Sequence, residues 1–490
     1  MMITFENTIN RKYIFFTLFV LVSIFSQSFC AEKKTNRVVV ETKVEISNVE
    51  RKPGGLLTCF LLDSDKKRPR KISMVETYKK MGVQSVRFPF GALANNYLWT
   101  TPPYKITSKG LTPRVAAKSK PPAKFIWATN SDGSFKKDLD FDEFIKQCRD
   151  ANIEPVIVIN VMSHKYDGGP ELKDLHTSAV EWVRYSNITK KYGVKYWQLG
   201  NEQDHHSKLM SQKEYEQIYG SFAKAMKSID PSIKTGVAVI KNKNWVNGIL
   251  KNHRDSVDFV GCHQYQWKNW TIEKWQKVNQ PLIPNILGIS NILNKPGLSN
   301  IEIMVTEMSS FGKWYDGKGL ADMTRSLCFA EMLLHASTIK QVAYTHFWTT
   351  HNAWLGEDSD GELCSALNAD NSLKPTAEII GIVNNHLDEL MVRVPRVSGN
   401  LRIFASCTKN RKVVTLFIIN KENKAVEFNC LLKDFIPKRV IKRLSYAGKS
   451  FSDLNPITSV DKKALTEGSK VSLMLEGASL TVLKLSSENI

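Results

Sequence analysis

The chain has 490 residues, 42% of them hydrophobic, and a formal net charge of +20. That is enough apolar chain for a large domain plus a smaller one, and the charge fits either a Lys-rich solvated surface or attraction to an anionic glycan. Nucleic acid is excluded on the reading that basic residues are scattered, without a compact Lys/Arg tract or a recognised binding motif.

Arg11 and Lys12 precede an apolar run from Tyr13 to Phe25, and the small and polar stretch Ser26 to Ala31 follows. This layout predicts a secretory leader over residues 1–30. The run falls short of the roughly 20 apolar residues that cross a bilayer, so no integral membrane segment is expected after its removal. The expected location is secreted or periplasmic. A lipid-anchored surface protein, through Cys30, is the minor alternative. Beyond Cys30 the cysteines are 59, 148, 262, 328, 364, 407 and 430, an odd number without C-x-x-C spacing. That argues against a disulfide framework or a zinc site, although Cys407 and Cys430 could pair between neighbouring strands.

The alternating segment Arg37 to Val49 predicts a strand, assigned with residues 31–53 to a C-terminal sheet. From residue 54 to 390, short β-rich runs alternate with amphipathic helices, which predicts a parallel sheet with crossover helices. The runs are Leu56 to Leu62, Gln84 to Phe88, Pro155 to Asn160, Lys195 to Leu199, Lys234 to Val239, Val257 to Cys262, Glu302 to Thr306 and Gln341 to Trp348. Eight of them predict a closed barrel. The stretch Phe90 to Phe135 carries Tyr97, Trp99, Tyr104 and Trp127 among many Pro and Lys residues, and a loop this long is expected to form a substrate-binding rim. Ser211 with Glu214 predicts a capping box, ahead of apolar residues at helical spacing from Tyr215 to Ile229. Leu320 to Ile339 is apolar on more than one side and predicts a helix wedged against the barrel. Over residues 391–490 the helical period gives way to short strands and polar turns, the pattern of an antiparallel β-sandwich.

Two strand ends present a carboxylate. Tyr196-Trp197-Gln198-Leu199-Gly200-Asn201-Glu202 ends the fourth barrel run, and Ile301-Glu302-Ile303-Met304-Val305-Thr306-Glu307 ends the seventh. Catalytic groups in such barrels sit at the carboxyl ends of the strands. Two opposed carboxyl groups are what displacement at a sugar carbon requires. The expected chemistry is glycoside hydrolysis, with neither metal nor cofactor.

Trp197 to Glu202 resembles the Asn-Glu signature of clan A retaining barrel glycosidases. Ser178 to Asn187, Val86-Arg87-Phe88-Pro89, Tyr97-Leu98-Trp99 and Asn371 to Thr376 are similar to stretches of family 51 α-L-arabinofuranosidases. The resemblance implies an α/β fold, a (β/α)8 TIM barrel with a C-terminal antiparallel β-sandwich domain. It implies Glu202 as general acid/base, with a pKa raised by burial and nearby negative charge, and Glu307 as nucleophile. Asn201 would donate to the sugar 2-hydroxyl, Arg87 would orient Glu307, and His263 would touch the sugar. Tyr265 would bond the nucleophile and Trp348 would form an aromatic floor. The alternatives are a turn-forming role for Asn201, a buried structural ion pair for Arg87, and packing roles for His263, Tyr265 and Trp348. The family usually carries Gly-Gly after Arg-x-Pro, and a Trp after the nucleophile. This chain has Phe90-Gly91 and Met308-Ser309-Ser310 instead, so its sugar-recognising shell is altered. The implied function is a retaining hydrolase of the arabinofuranosidase type, acting on an oligo- or polysaccharide of plant or algal origin. An endo-acting hydrolase of an acidic or sulfated polysaccharide, and a non-catalytic glycan-binding protein on the same scaffold, are the competing readings.

Overall fold

In the computed structural model, the described residues are 38–100, 111–116, 123–266, 271–310, 322–353, 356, 365–395 and 399–489. The leader expected over residues 1–30, Tyr104 and Cys364 lie outside them.

Eight parallel strands close the barrel: β2 (Gly54–Leu57), β3 (Ser85–Phe88), β4 (Glu154–Ile159), β5 (Tyr196–Leu199), β6 (Lys234–Ala238), β7 (Phe259–Tyr265), β8 (Glu302–Ser309) and β9 (Val342–Phe347). Each pairs with its neighbours in sequence, and β9 closes onto β2. Helices alternate with the strands, namely α1 (Met74–Lys80), α2 (Phe141–Ala151), α3 (Leu172–Val183), α4 (Gln212–Ile229), α5 (Lys243–His253), α6 (Ile272–Lys277), α7 (Pro284–Leu293), α8 (Met323–Ser337) and α9 (Pro375–His386). Ser211 caps α4 by accepting the Glu214 N–H at 3.3 Å. The Glu214 carboxylate turns away to Lys165 at 2.5 Å, so the reciprocal half of the predicted box is missing there. A complete capping box forms at Ser73 and Glu76 instead.

The barrel interior is layered by the period-2 alternation of its strands. Val156, Tyr196, Phe259, Met304 and Tyr344 fill the amino-terminal end as an apolar plug. Above them lie buried neutral polar groups, including Gln198, Thr306 and a Ser85–His346 contact of 2.9 Å. The next layer holds Arg87, Asn201 and Glu307. Alternate residues such as Trp197, Leu199, Ile303 and Val305 face outward into the core shared with the helices.

Among the described residues of the long stretch after β3, the aromatics turn inward rather than forming an exposed rim. Tyr97 and Trp99 are buried, with Trp99 stacked on Trp182 at 5.6 Å and Tyr97 edge-on to Phe60 at 5.0 Å. Their large apolar area is better removed from water against α3 than left at the surface. Trp127 stays half-buried.

The rest of the chain forms a ten-stranded sheet built from β1 (Val38–Asn48), β10 (Leu390–Arg393), β11 (Leu401–Cys407), β12 (Val413–Asn420), β13 (Val426–Lys433), β14 (Arg439–Ala447), β15 (Ile457–Asp461), β16 (Leu465–Glu467), β17 (Lys470–Leu475) and β18 (Ser479–Ser486). Its order is β15-β14-β18-β12-β11-β10-β1-β13-β17-β16. The outermost strands β15 and β16 are consecutive in the chain, so their ends lie within roughly 14 Å of each other. A flat sheet of this width would hold them about 43 Å apart. The sheet therefore folds over on itself, and the expected sandwich is one continuous hydrogen-bonded surface. β1 is an interior strand, antiparallel to β10 and parallel to β13.

Both faces of β12 are buried: Val414, Leu416 and Ile418 enter the sandwich core, while Phe417 and Ile419 pack with the barrel. Cys407 and Cys430 lie in that sandwich core, on strands separated by β10 and β1. The suggested pairing between neighbouring strands is therefore not made.

Candidate active site

Gly200 (φ +88°) turns the chain sharply after β5, and Glu202 itself is left-handed at φ +52°. A non-glycine residue there costs on the order of 1 kcal/mol and persists only where its surroundings fix it. Here Asn95 Nδ2 donates to the Asn201 carbonyl at 3.1 Å, and the Gln203 N–H donates to the Ala238 carbonyl at 3.3 Å. On the opposite side, pairing of β8 with β7 steps from Val305–Cys262 to Glu307–His263, so two residues of β8 answer one of β7. This bulge re-aims the strand. Both Thr306 and Glu307 are buried as a result.

The two carboxylates and His263 converge, each offering an atom within 4.8 Å of the others. His263 Nδ1 lies 2.8 Å from Glu202 Oε1 and 3.4 Å from Glu307 Oε2. Arg87, fully buried, donates to Glu307 Oε1 at 3.0 Å and to Asn201 Oδ1 at 2.6 Å. The Tyr265 hydroxyl donates to Glu307 Oε2. Asn201 Nδ2 and His263 Nε2 are buried without a hydrogen-bond partner. Burial draws the Arg87 pKa below its usual value while Glu307 works against that, and a guanidinium keeps its charge regardless. For Glu202 burial acts upward, but the hydrogen bond and charge of His263, with His205 and His206, outweigh it. Its carboxyl lies below the ordinary range. The expected upward shift is thus reversed, because the His263 imidazole lies 2.8 Å from Glu202.

Trp348 directly follows β9 and is buried, with Phe90 at 6.0 Å between ring centroids. A Cβ added to Gly91 would fall 2.6 Å from Glu307 Oε1 and 3.2 Å from Trp348 Nε1. The backbone must be bare there for the carboxylate to fit. All seven residues singled out from the sequence, Arg87, Asn201, Glu202, His263, Tyr265, Glu307 and Trp348, gather at this mouth. Sequence reasoning missed the supporting residues Asn95 and Gln203 and did not assign Gly91 a role. Asn95 and Gln203 belong to no local motif, and only the pairing of distant loops brings them together. Glu202, His263 and Glu307 have the donor types of a cation site. Arg87 already opposes Glu307 with a positive charge, so a further cation would meet repulsion.

Residues 77–281 match the model of the alpha-L-arabinofuranosidase 1 domain. The intracellular exo-alpha-(1->5)-L-arabinofuranosidase of Acetivibrio thermocellus is 27% identical over 206 residues, 39% of this chain and 38% of the relative. Alpha-L-arabinofuranosidase C of Emericella nidulans is 28% identical over 179 residues, 35% of this chain and 32% of the relative. The chain thus matches well under half the length of these relatives. Over the whole fold, the alpha-L-arabinofuranosidase of Thermotoga maritima superposes with a TM-score of 0.72 at 18% identity, covering 92% of this chain and 99% of that one. The family 51 enzyme of Thermotoga petrophila gives 0.69 at 18% identity, covering 91% and 99%. In its barrel, sandwich and sequence matches the chain is similar to glycoside hydrolases. Within that class, the chain is similar to the family 51 α-L-arabinofuranosidases.

Proposed function

We propose that the protein is a retaining glycoside hydrolase of the arabinofuranosidase type, with Glu307 as nucleophile and Glu202 as acid/base. The observation that carries this is the convergence of the two carboxylates within 4.8 Å. Such closeness suits direct attack at the anomeric carbon, whereas inverting enzymes leave roughly 6.5 to 9.5 Å for a water. Arg87 and Tyr265 hold both oxygens of Glu307, which fixes the angle of attack. Glu307 bonds the anomeric carbon as Glu202 gives its proton to the departing oxygen. Glu202 then takes a proton from water, and that water displaces Glu307. Asn201, its side-chain Oδ1 held by Arg87, turns its amide N–H groups toward a sugar hydroxyl.

Glu202 has to be protonated for the first step, and His263 opposes this. A bound sugar displaces water and strengthens the burial that drives the carboxyl upward. The altered shell at Phe90 and Met308 leaves the pentoside open, and the leader-like residues 1–30 support export. A panel of nitrophenyl glycosides tests the activity. The decisive variant is Glu202→Ala: azide should partly restore turnover on substrates with good leaving groups, and no rescue on any active substrate would remove Glu202 from the acid/base role.

A further inference from the structure

We propose that the loop between β2 and α1, with the segment entering α2, forms a polyanion-binding rim beside the active-site mouth. This rests on the hydrolase reading and names the class of polymer presented to the site: a glycan bearing sulfate or carboxylate groups. Lys66-Lys67-Arg68-Pro69-Arg70-Lys71 places five cations in six residues, an exception to the scattered distribution of basic residues elsewhere. Lys136 and Lys137 stand exposed next to it, since Arg68 Nε donates to the Lys137 carbonyl at 3.1 Å.

The acidic residues nearby are mostly turned inward. Glu143, 2% exposed, accepts from the Lys66 backbone N–H at 2.9 Å and from Ser64 Oγ at 2.8 Å. Asp63, 1% exposed, accepts from Thr58, Thr350 and the Cys59 N–H, and meets His351 at 2.7 Å. Asp65 accepts from the Met74 N–H at 2.9 Å. Their carboxylates are spent on fixing the loop, while the amines of Lys66 and Lys71 reach solvent. Among the described residues, Asp138 and Asp140 lie against Lys67, at 3.0 and 3.4 Å, Glu76 accepts from Ser73 at the end of the loop, and Asp132 and Asp370 are further acids at this edge. Among the described residues, the six cations Lys66, Lys67, Arg68, Lys71, Lys136 and Lys137 still exceed these five acids.

The loop is ordered and continuous with the site. Arg70 bonds Asn371 Oδ1 and His351 Nε2, each at 2.7 Å, and His351 lies three residues after Trp348. The Arg68 guanidinium lies over the Trp127 ring at 5.8 Å, so a half-exposed aromatic face joins the cations. Cations beside an aromatic face suit a sugar ring that carries an anionic substituent.

The test uses the full chain, titrated with a sulfated galactan, polygalacturonate and neutral arabinan at low and high salt. The patch variant is Lys66→Ser, Lys71→Ser, Lys136→Ser and Lys137→Ser combined. The control replaces the exposed sandwich residues Lys409, Lys438, Lys462 and Lys463 by Ser. Wild type should bind one polyanion at least tenfold more tightly than arabinan, with the preference fading in salt; the sulfated and carboxylated polymers separate the two anion types. The patch variant should lose that tenfold, the control less than twofold, and both should keep the wild-type kcat/KM on a nitrophenyl glycoside. Equal binding of all three glycans, equal losses in patch and control, or equal competition by duplex DNA would overturn the proposal. Inactivity of wild type on every nitrophenyl glycoside, with the patch effect intact, would instead sink the hydrolase reading alone.

Discussion

Two buried ionic clusters differ in one respect. Where the barrel meets the sandwich, Glu331 of α8 lies 2.6 Å from Lys421 Nζ and 3.1 Å from Arg402 Nε, and accepts from Trp275 Nε1 at 2.7 Å. Lys421 donates onward to the Trp275 carbonyl at 3.2 Å, and the nitrogens of Arg402 reach Glu331, Gly399, Leu401, Val278 and Asn279. Every side-chain polar atom of that group has a partner. At the barrel mouth, Arg87, Asn201 and His263 each keep a buried nitrogen without one. A closed network has nothing left to offer a ligand and serves the fold. An open one holds groups whose partners come from outside.

The largest expected effect breaks the open cluster while sparing the fold. Glu307→Gln should lower kcat by roughly 10⁴-fold or more, with the thermal transition nearly unmoved because the amide still fills the space between Arg87 and Tyr265. Hydrolysis at the wild-type rate would end the nucleophile assignment. The converse holds at the junction: Glu331→Ala leaves Lys421 and Arg402 buried with no carboxylate and should cost about 3 to 5 kcal/mol of stability. Denaturant titration reads this, while kcat/KM on a small glycoside should stay within about twofold at 25 °C. An unchanged midpoint would mean the network contributes nothing. The smallest effect sharpens the contrast within the site. His263 holds the Glu202 carboxyl low, so His263→Asn should raise it, and an acid that keeps its proton longer carries activity to higher pH. The alkaline limb of the kcat/KM profile should move upward, and a limb that stays or moves down refutes the pairing.

The strands and the two glutamates were legible because each is a local pattern: a short β-rich run, then a turn-forming Gly-Asn-Glu or a run of alternating Ile, Val and Thr. The supports were not. The bulge before Glu307 exists only in the pairing of β8 with β7, and Asn95 finds Asn201 across more than a hundred residues. Aromatic content alone could not tell a binding rim from a core, and Trp99 settled against Trp182. The cationic run at 66–71 was visible in the sequence but diluted by a chain-wide count.

The place of β1 in the middle of the sheet governs how the molecule can be made. Its neighbours β10 and β13 lie more than three hundred residues downstream. During synthesis the early strand must wait, unpaired, until the ribosome has delivered the barrel and much of the sandwich. Such distant pairing is slow to form, and it exposes an unsatisfied strand to neighbouring nascent chains in the interval. It also fastens the two ends of the polypeptide into one cooperative layer, so the barrel cannot be cut out at residue 390 without leaving β1 an orphan.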